Sequence, residues 1–132
     1  MGGNVRKLGP VALLGLAAPL QAQTAPVAID SAVFVERTEG ASRTLEAARS
    51  LRKGERVVTV LRWQAADGSY TVTSPVPPRL RFEDSSARAI EVSTDGGRNW
   101  RALAGTRPEA VTHLRWRIGS GAGRLTYSAI VR

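Results

Sequence analysis

Residues 55–63 read ERVVTVLRW, an alternation that puts Val57, Thr59, Leu61 and Trp63 on one side of an extended chain and Arg56 and Arg62 on the other. A helix would scatter the same residues around its axis, so the segment is a strand whose core face is the odd-numbered one. The rhythm recurs downstream. Residues 110–118 (AVTHLRWRI) set Thr112, Leu114, Trp116 and Ile118 against Val111, His113, Arg115 and Arg117, and residues 124–131 turn Leu125, Tyr127, Ala129 and Val131 to one side.

Turn residues punctuate the remainder. Residues 28–37 (AIDSAVFVER) form a first strand, followed by a polar loop through Gly40 and Ser42. Residues 45–51 (LEAARSL) have helical propensity but stop at Lys53-Gly54, and are read as an edge strand or a loop turn. Asp67-Gly68 marks a turn before a short β-branched strand at residues 69–74, and two further strands, residues 88–94 and 98–103, flank the octet STDGGRNW. Pro75, Pro77 and Pro78 lack the N–H that a ladder needs, which puts their segment at a sheet edge or in a crossover between sheets. About seven short strands, nearly all with a polar face, predict an all-β, two-sheet antiparallel sandwich, with a small barrel as the alternative.

The N-terminus carries a different signal. Arg6 and Lys7 precede an apolar run, residues 8–20, and then the small-residue stretch QAQTA, the layout of an export signal. The run is shorter than the roughly 20 residues that span a bilayer, and Pro10 and Pro19 interrupt it. Residues 1–22 are therefore read as a signal-peptide helix removed after Ala22, and residues 23–132 as one domain, exported to the periplasm, the cell surface or the medium without a membrane span. The alternative is a buried amphipathic helix or a retained anchor. With 42% apolar and 23% charged residues, the chain has the material of one ordinary core. Export permits disulfides, yet the chain has no Cys, so packing and hydrogen bonds hold it together and thiol, redox and Cys–zinc chemistry are excluded.

Loss of Arg6 and Lys7 with the signal lowers the formal charge from +8 to +6, and apart from Lys53 every remaining cation is Arg. Arg62, Arg115 and Arg117 form a candidate face for anionic ligands such as acidic glycans, lipopolysaccharide or cell-wall polymers. The plainer reading is that these arginines solvate outer strand faces. No nucleic-acid signature is present.

The octet, residues 93–100, matches S-x-D-x-G-x-x-W and resembles the Asp-box of sialidases and other sugar-cleaving propellers. A propeller needs several four-stranded blades, far more chain than this, and glycoside hydrolysis needs a placed carboxyl pair or a tyrosine nucleophile with supporting charges. The pattern also makes sense as a turn. Asp95 can accept backbone N–H bonds, Ser93 can brace it, Gly96 and Gly97 allow positive φ, and Trp100 can fold beneath as an apolar plug. Ser93, Asp95, Gly96, Gly97 and Trp100 are accordingly read as a structural turn. Glu83-Asp84 and Asp67-Gly68 offer oxygens to calcium but lack a binding-loop pattern, and His113 has no nucleophile elbow. Catalytic, cofactor and metal sites are read as absent.

Six segments in order resemble exported bacterial domains related to the domain-of-unknown-function eleven repeat: residues 33–36 (VFVE), 51–63 (L-x-x-G-E-R-V-V-x-V-L-R-W), 73–77 (T-x-P-V-P), 91–97 (EVSTDGG), 111–117 (VTHLRWR) and 123–131 (G-x-L-x-Y-x-A-I-V). The resemblance implies an immunoglobulin-like sandwich in an envelope or extracellular protein without assigned catalysis. Two departures limit it: one copy where relatives often carry several, and a plain Gln64–Gly68 link where relatives usually have an Asn-x-Gly loop. The expectation is a non-enzymatic structural or interaction module of the cell envelope, partnered by an envelope protein, or alternatively a module that binds anionic polysaccharide. Intact-mass and N-terminal analysis of the exported protein should find Gln23 first; a retained Met1 would contradict the signal-peptide reading.

Overall fold

The computed structural model describes residues 26–132, so the signal-peptide reading of residues 1–22 lies outside the described residues. What it describes is all β apart from one 3₁₀ turn at Pro108–Ala110. Nine strands appear, more than the seven read from the sequence: β1 Val27–Glu39, β2 Ser42–Ala47, β3 Arg56–Ala65, β4 Tyr70–Pro75, β5 Leu80–Ser85, β6 Glu91–Ser93, β7 Arg101–Ala102, β8 His113–Ile118 and β9 Gly121–Val131. They make two antiparallel sheets, one ordered β2-β1-β3-β9-β5 and the other β4-β8-β6-β7.

The predicted alternation sets the core. On β3 the side chains of Val57, Thr59 and Leu61 are buried, with Arg56 and Arg62 exposed. Leu125, Tyr127, Ala129 and Val131 of β9 are buried too, paired across from Leu61, Thr59 and Val57 and from Leu80 of β5. The second sheet meets this layer with Val72 of β4, Val92 of β6, and Leu114, Trp116 and Ile118 of β8. Tyr127 lies in the middle of the core beside Phe82, ring centroids 5.8 Å apart, and burial pushes its hydroxyl pKa up, so it stays neutral. The hydroxyl of Thr59 and the indole N–H of Trp116 are buried without a hydrogen-bond partner among the described residues.

The two layers are keyed together by tryptophan. Trp63 of β3 stands opposite Gly123 of β9 and lays its indole over the bare backbone there; a methyl group on Gly123 would collide with the ring. From that position Trp63 reaches across to Trp116 of the other sheet, with ring centroids 5.9 Å apart at a 46° tilt.

Several sequence expectations need correction. The loop predicted through Gly40 and Ser42 is a hairpin turn, with Gly40 at φ 62°, and β2 begins at Ser42. Of the two readings of residues 45–51, the edge strand holds for the part up to Ala47. The strands flanking the octet are shorter than predicted because only Glu91–Ser93 and Arg101–Ala102 find ladder partners. Val111 does not share the outward face with His113. It precedes β8, closes the 3₁₀ turn by donating its N–H to the Pro108 carbonyl, and is buried in the core. Both alternatives for the Pro-rich segment hold in part: Pro75 ends β4 at a sheet edge, and Pro77 and Pro78 lie in the crossover that joins β4 of one sheet to β5 of the other.

Substituting Gly123→Ala should cost about 1–3 kcal/mol, as overpacking of a filled interior does. Urea unfolding followed by tryptophan fluorescence measures it; an unchanged midpoint would show that the indole does not rest on this glycine.

Candidate functional site

The octet closes the β6–β7 hairpin, and its hydrogen bonds run inward. Ser93 is buried and donates its hydroxyl to Asp95 Oδ1 at 2.7 Å, while the same hydroxyl oxygen accepts the N–H of Gly97 at 2.8 Å. Asp95 Oδ1 also accepts the backbone N–H of Arg98 and Asn99 at 3.1 and 2.9 Å, and Oδ2 accepts the Asn99 side-chain amide at 2.6 Å. Gly96 and Gly97 have φ of 81° and 92°, the left-handed region where a Cβ is costly. Trp100 is half-buried, its ring near Gly97.

Sequence reasoning missed two participants. Asn99 both donates its side-chain amide to Asp95 and is bound through its backbone; the four-residue spacing from Asp95 was the available signal. Thr112, at the entry to β8, accepts the Gly96 N–H at 3.0 Å and donates its hydroxyl to the Ser93 carbonyl at 3.2 Å, tying the hairpin to the next strand; its distance along the chain gave no signal. The hydrogen bonds from Asn99 come first among the causes that hold the Asp95 carboxyl far below the ordinary carboxylate range. Such a carboxylate is a poor proton donor at any ordinary pH, and its two oxygens are already engaged within the turn.

The three arginines of the anticipated anionic face do not share one. Arg62 lies on the outer side of the five-stranded sheet, flanked across the strands by Asp30 and Arg124. Arg115 and Arg117 lie on the outer side of the four-stranded sheet, so the full thickness of the sandwich separates them from Arg62. Residue parity identified the outward side of each strand but not which sheet the strand would join.

Arg115 is engaged twice. It donates to Glu91 Oε1 from Nε and Nη2 at 3.0 and 2.8 Å, and its guanidinium stacks over the Trp100 ring at 4.4 Å from the centroid. Trp100 thereby packs on the outer side of the sheet at Arg115. Arg117 donates to the Ser69 hydroxyl at 2.9 Å and has no carboxylate within ion-pair distance among the described residues. Both arginines, with Thr71, Ala89, Glu91 and Trp116, line an open cleft of about 500 Å³.

The other oxygen-bearing groups are dispersed. Glu83 is bound by Arg56 at 2.8 Å, Asp67 is exposed in a turn whose carbonyl accepts the Tyr70 hydroxyl, and His113 Nδ1 lies 3.0 Å from the Thr112 hydroxyl. Among the described residues no three metal-ligating side chains gather, and no helix is long and apolar enough to cross a membrane. Compared with models of known protein families, with curated proteins and with solved structures, the chain matches none.

The folded Asp95 carboxyl binds its proton more weakly than the unfolded one, so its contribution to stability is fully present above the usual carboxylate pKa of about 3.9 and is lost as the pH falls below it. The parent and an Asp95→Ala variant should therefore differ in melting temperature near neutrality and converge on acidification. A gap that stayed constant down to low pH would contradict the assigned bonds.

Proposed function

We propose that this is a non-enzymatic, exported module of the bacterial cell envelope that works by presenting a strand edge and sheet face to a partner protein. The observation that carries this reading is β2. All six of its residues are exposed, it borders the larger sheet, and it holds Leu45, a large apolar side chain left 52% exposed. An unpaired edge offers main-chain donors and acceptors, and side chains on alternate positions supply selectivity. The octet supports the non-enzymatic part, because both oxygens of its acidic side chain, although exposed, are engaged by its own turn.

Export rests on the layout of residues 1–22, and the envelope setting on the ordered segments that resemble the exported repeat family. The domain is immunoglobulin-like in the broad sense of a two-layer antiparallel sandwich of about a hundred residues, a scaffold common in adhesive and spacer proteins. Its function needs no cofactor.

One observation favours a second reading, recognition of anionic polysaccharide. Arg117, with its charge not countered by a carboxylate among the described residues, lines the cleft together with Arg115 and Thr71. Only that half of the anticipated arginine face bears on it, since Arg62 is on the other side of the molecule.

Proximity labelling from the protein in its native envelope should return a small, reproducible set of protein neighbours. Chromatography on an anionic polysaccharide separates the second reading: retention that falls steeply with salt and is lost in Arg117→Gln would favour it, and passage without retention at low salt would remove it.

A further inference from the structure

The four sheet edges of the sandwich are not alike. β4 ends in Pro75 and runs into Pro77 and Pro78, which have no N–H to offer an incoming strand. β7 is two residues long. β5 carries a bulge between Phe82 and Asp84, and the 3₁₀ turn at Pro108–Ala110 packs against it, with Arg132 Nη2 donating to the Glu109 carbonyl. β2 has none of these guards: its six residues contain no Pro and no Gly, and its pairing with β1 runs without a register shift. Its charges are also drawn back toward its own sheet, Arg43 to Glu36 at 3.8 Å and Glu46 to Arg37 at 3.2 Å.

Leu45 does not stand alone on this edge. Its cross-strand neighbour is Glu36, and in the next row Ala47 faces Phe34, which faces Val58. These side chains lie on the outer side of the five-stranded sheet, because their sequence neighbours Val35 and Val57 are buried in the core. Val60, in the following row between Ala32 and Thr126, is only 8% exposed although it too points outward. An apolar stripe therefore crosses the outer face and runs out at Ala47 and Leu45 to an edge left free among the described residues.

We propose that β2 pairs antiparallel with β2 of a second copy of this chain about a two-fold axis at Leu45, joining the two five-stranded sheets into one. This rests on reading the domain as an interaction module and names its partner. A two-fold normal to the sheets keeps outer face with outer face, so odd-numbered residues meet odd-numbered ones and even meet even. Among those registers, one would set Arg43 against its own copy and another Glu46 against its own copy, and like charges directly opposite are destabilising. Centring on Leu45 avoids both. It sets Leu45 against Leu45, Arg43 against Ala47 and Thr44 against Glu46, and it makes the apolar stripe continuous from one copy to the other. Centring on Thr44 also avoids the charge clash, but it leaves Leu45 facing Arg43 instead of another Leu.

The absence of Cys makes the test clean, since any disulfide must come from an introduced residue. Directly opposed residues of an antiparallel pair have Cα atoms about 4.5–5.5 Å apart, within the range a disulfide bridges, whereas the two copies of Ser42 would lie roughly 20 Å apart. The full chain is expressed and the purified protein examined by sedimentation velocity over a concentration series. The expected result is a concentration-dependent dimer, a covalent dimer on mild oxidation of Leu45→Cys, and none from Ser42→Cys. Leu45→Lys puts like charges on the axis at a site already half exposed; it should keep the β-rich circular-dichroism spectrum and weaken dimerisation on the order of tenfold or more.

A monomer at all concentrations would overturn the proposal, as would a dimer unaffected by Leu45→Lys or cross-linking at Ser42→Cys as efficient as at Leu45→Cys. A monomer whose Leu45→Cys thiol is shielded from alkylation would also overturn it, since another stretch of the same chain would then occupy the edge. Specific envelope neighbours around a strictly monomeric protein would sink the self-pairing and leave the broader interaction reading standing. A dimer without such neighbours would leave the self-pairing standing and make a second copy, rather than another envelope protein, the partner.

Discussion

Two tryptophans meet between the sheets because a third residue has no side chain. Trp63 can lie flat enough to touch Trp116 of the opposite layer only because Gly123, its direct partner across the ladder, leaves the space open. This contact ties β3 and β9, the centre of the five-stranded sheet, to β8, the strand between β4 and β6 in the other. With no Cys in the chain, such packing takes the place that a disulfide holds in many sandwich domains. It also offsets a cost: the Trp116 N–H is buried without a partner among the described residues, an arrangement that a well-packed interior has to outweigh.

How far the fold could be read from the sequence depended on how local each signal was. The inward faces of β3 and β9 follow from alternation alone, since a strand with one wet side states its register residue by residue. β5 was missed because LRFEDS mixes charges into a bulged edge strand, where alternation breaks at Glu83. The ends of β6 and β7 were overextended, since a strand ends where its partner ends and the partner is a tertiary fact. The arginine face failed for a related reason: side-chain parity says in or out, but Arg62 and Arg115 are outward on different sheets. In the octet, Ser93, Asp95, Gly96, Gly97 and Trp100 announce the turn, while the brace from Thr112 comes from a strand that only folding brings near.

The octet illustrates how a motif familiar from catalytic proteins can be accounted for by structure. The Ser93 hydroxyl and both Asp95 carboxylate oxygens are bonded inside the hairpin, Thr112 at the entry to β8 holds the Gly96 N–H, and the resulting electrostatics stabilise the charged carboxylate rather than ready it for proton transfer. What the molecule offers to the outside lies elsewhere, in an unguarded strand on one sheet and an arginine-lined cleft on the other. On the reading proposed above, both serve recognition.

The most direct test of this architecture is a nuclear Overhauser spectrum of the purified protein with the tryptophan side chains assigned. The indole protons of Trp63 should show cross-peaks to the α protons of Gly123 within their own sheet and to the ring of Trp116 in the other. Trp63 resonances that connect to neither would contradict the account, because the two sheets would then be held together in some other way.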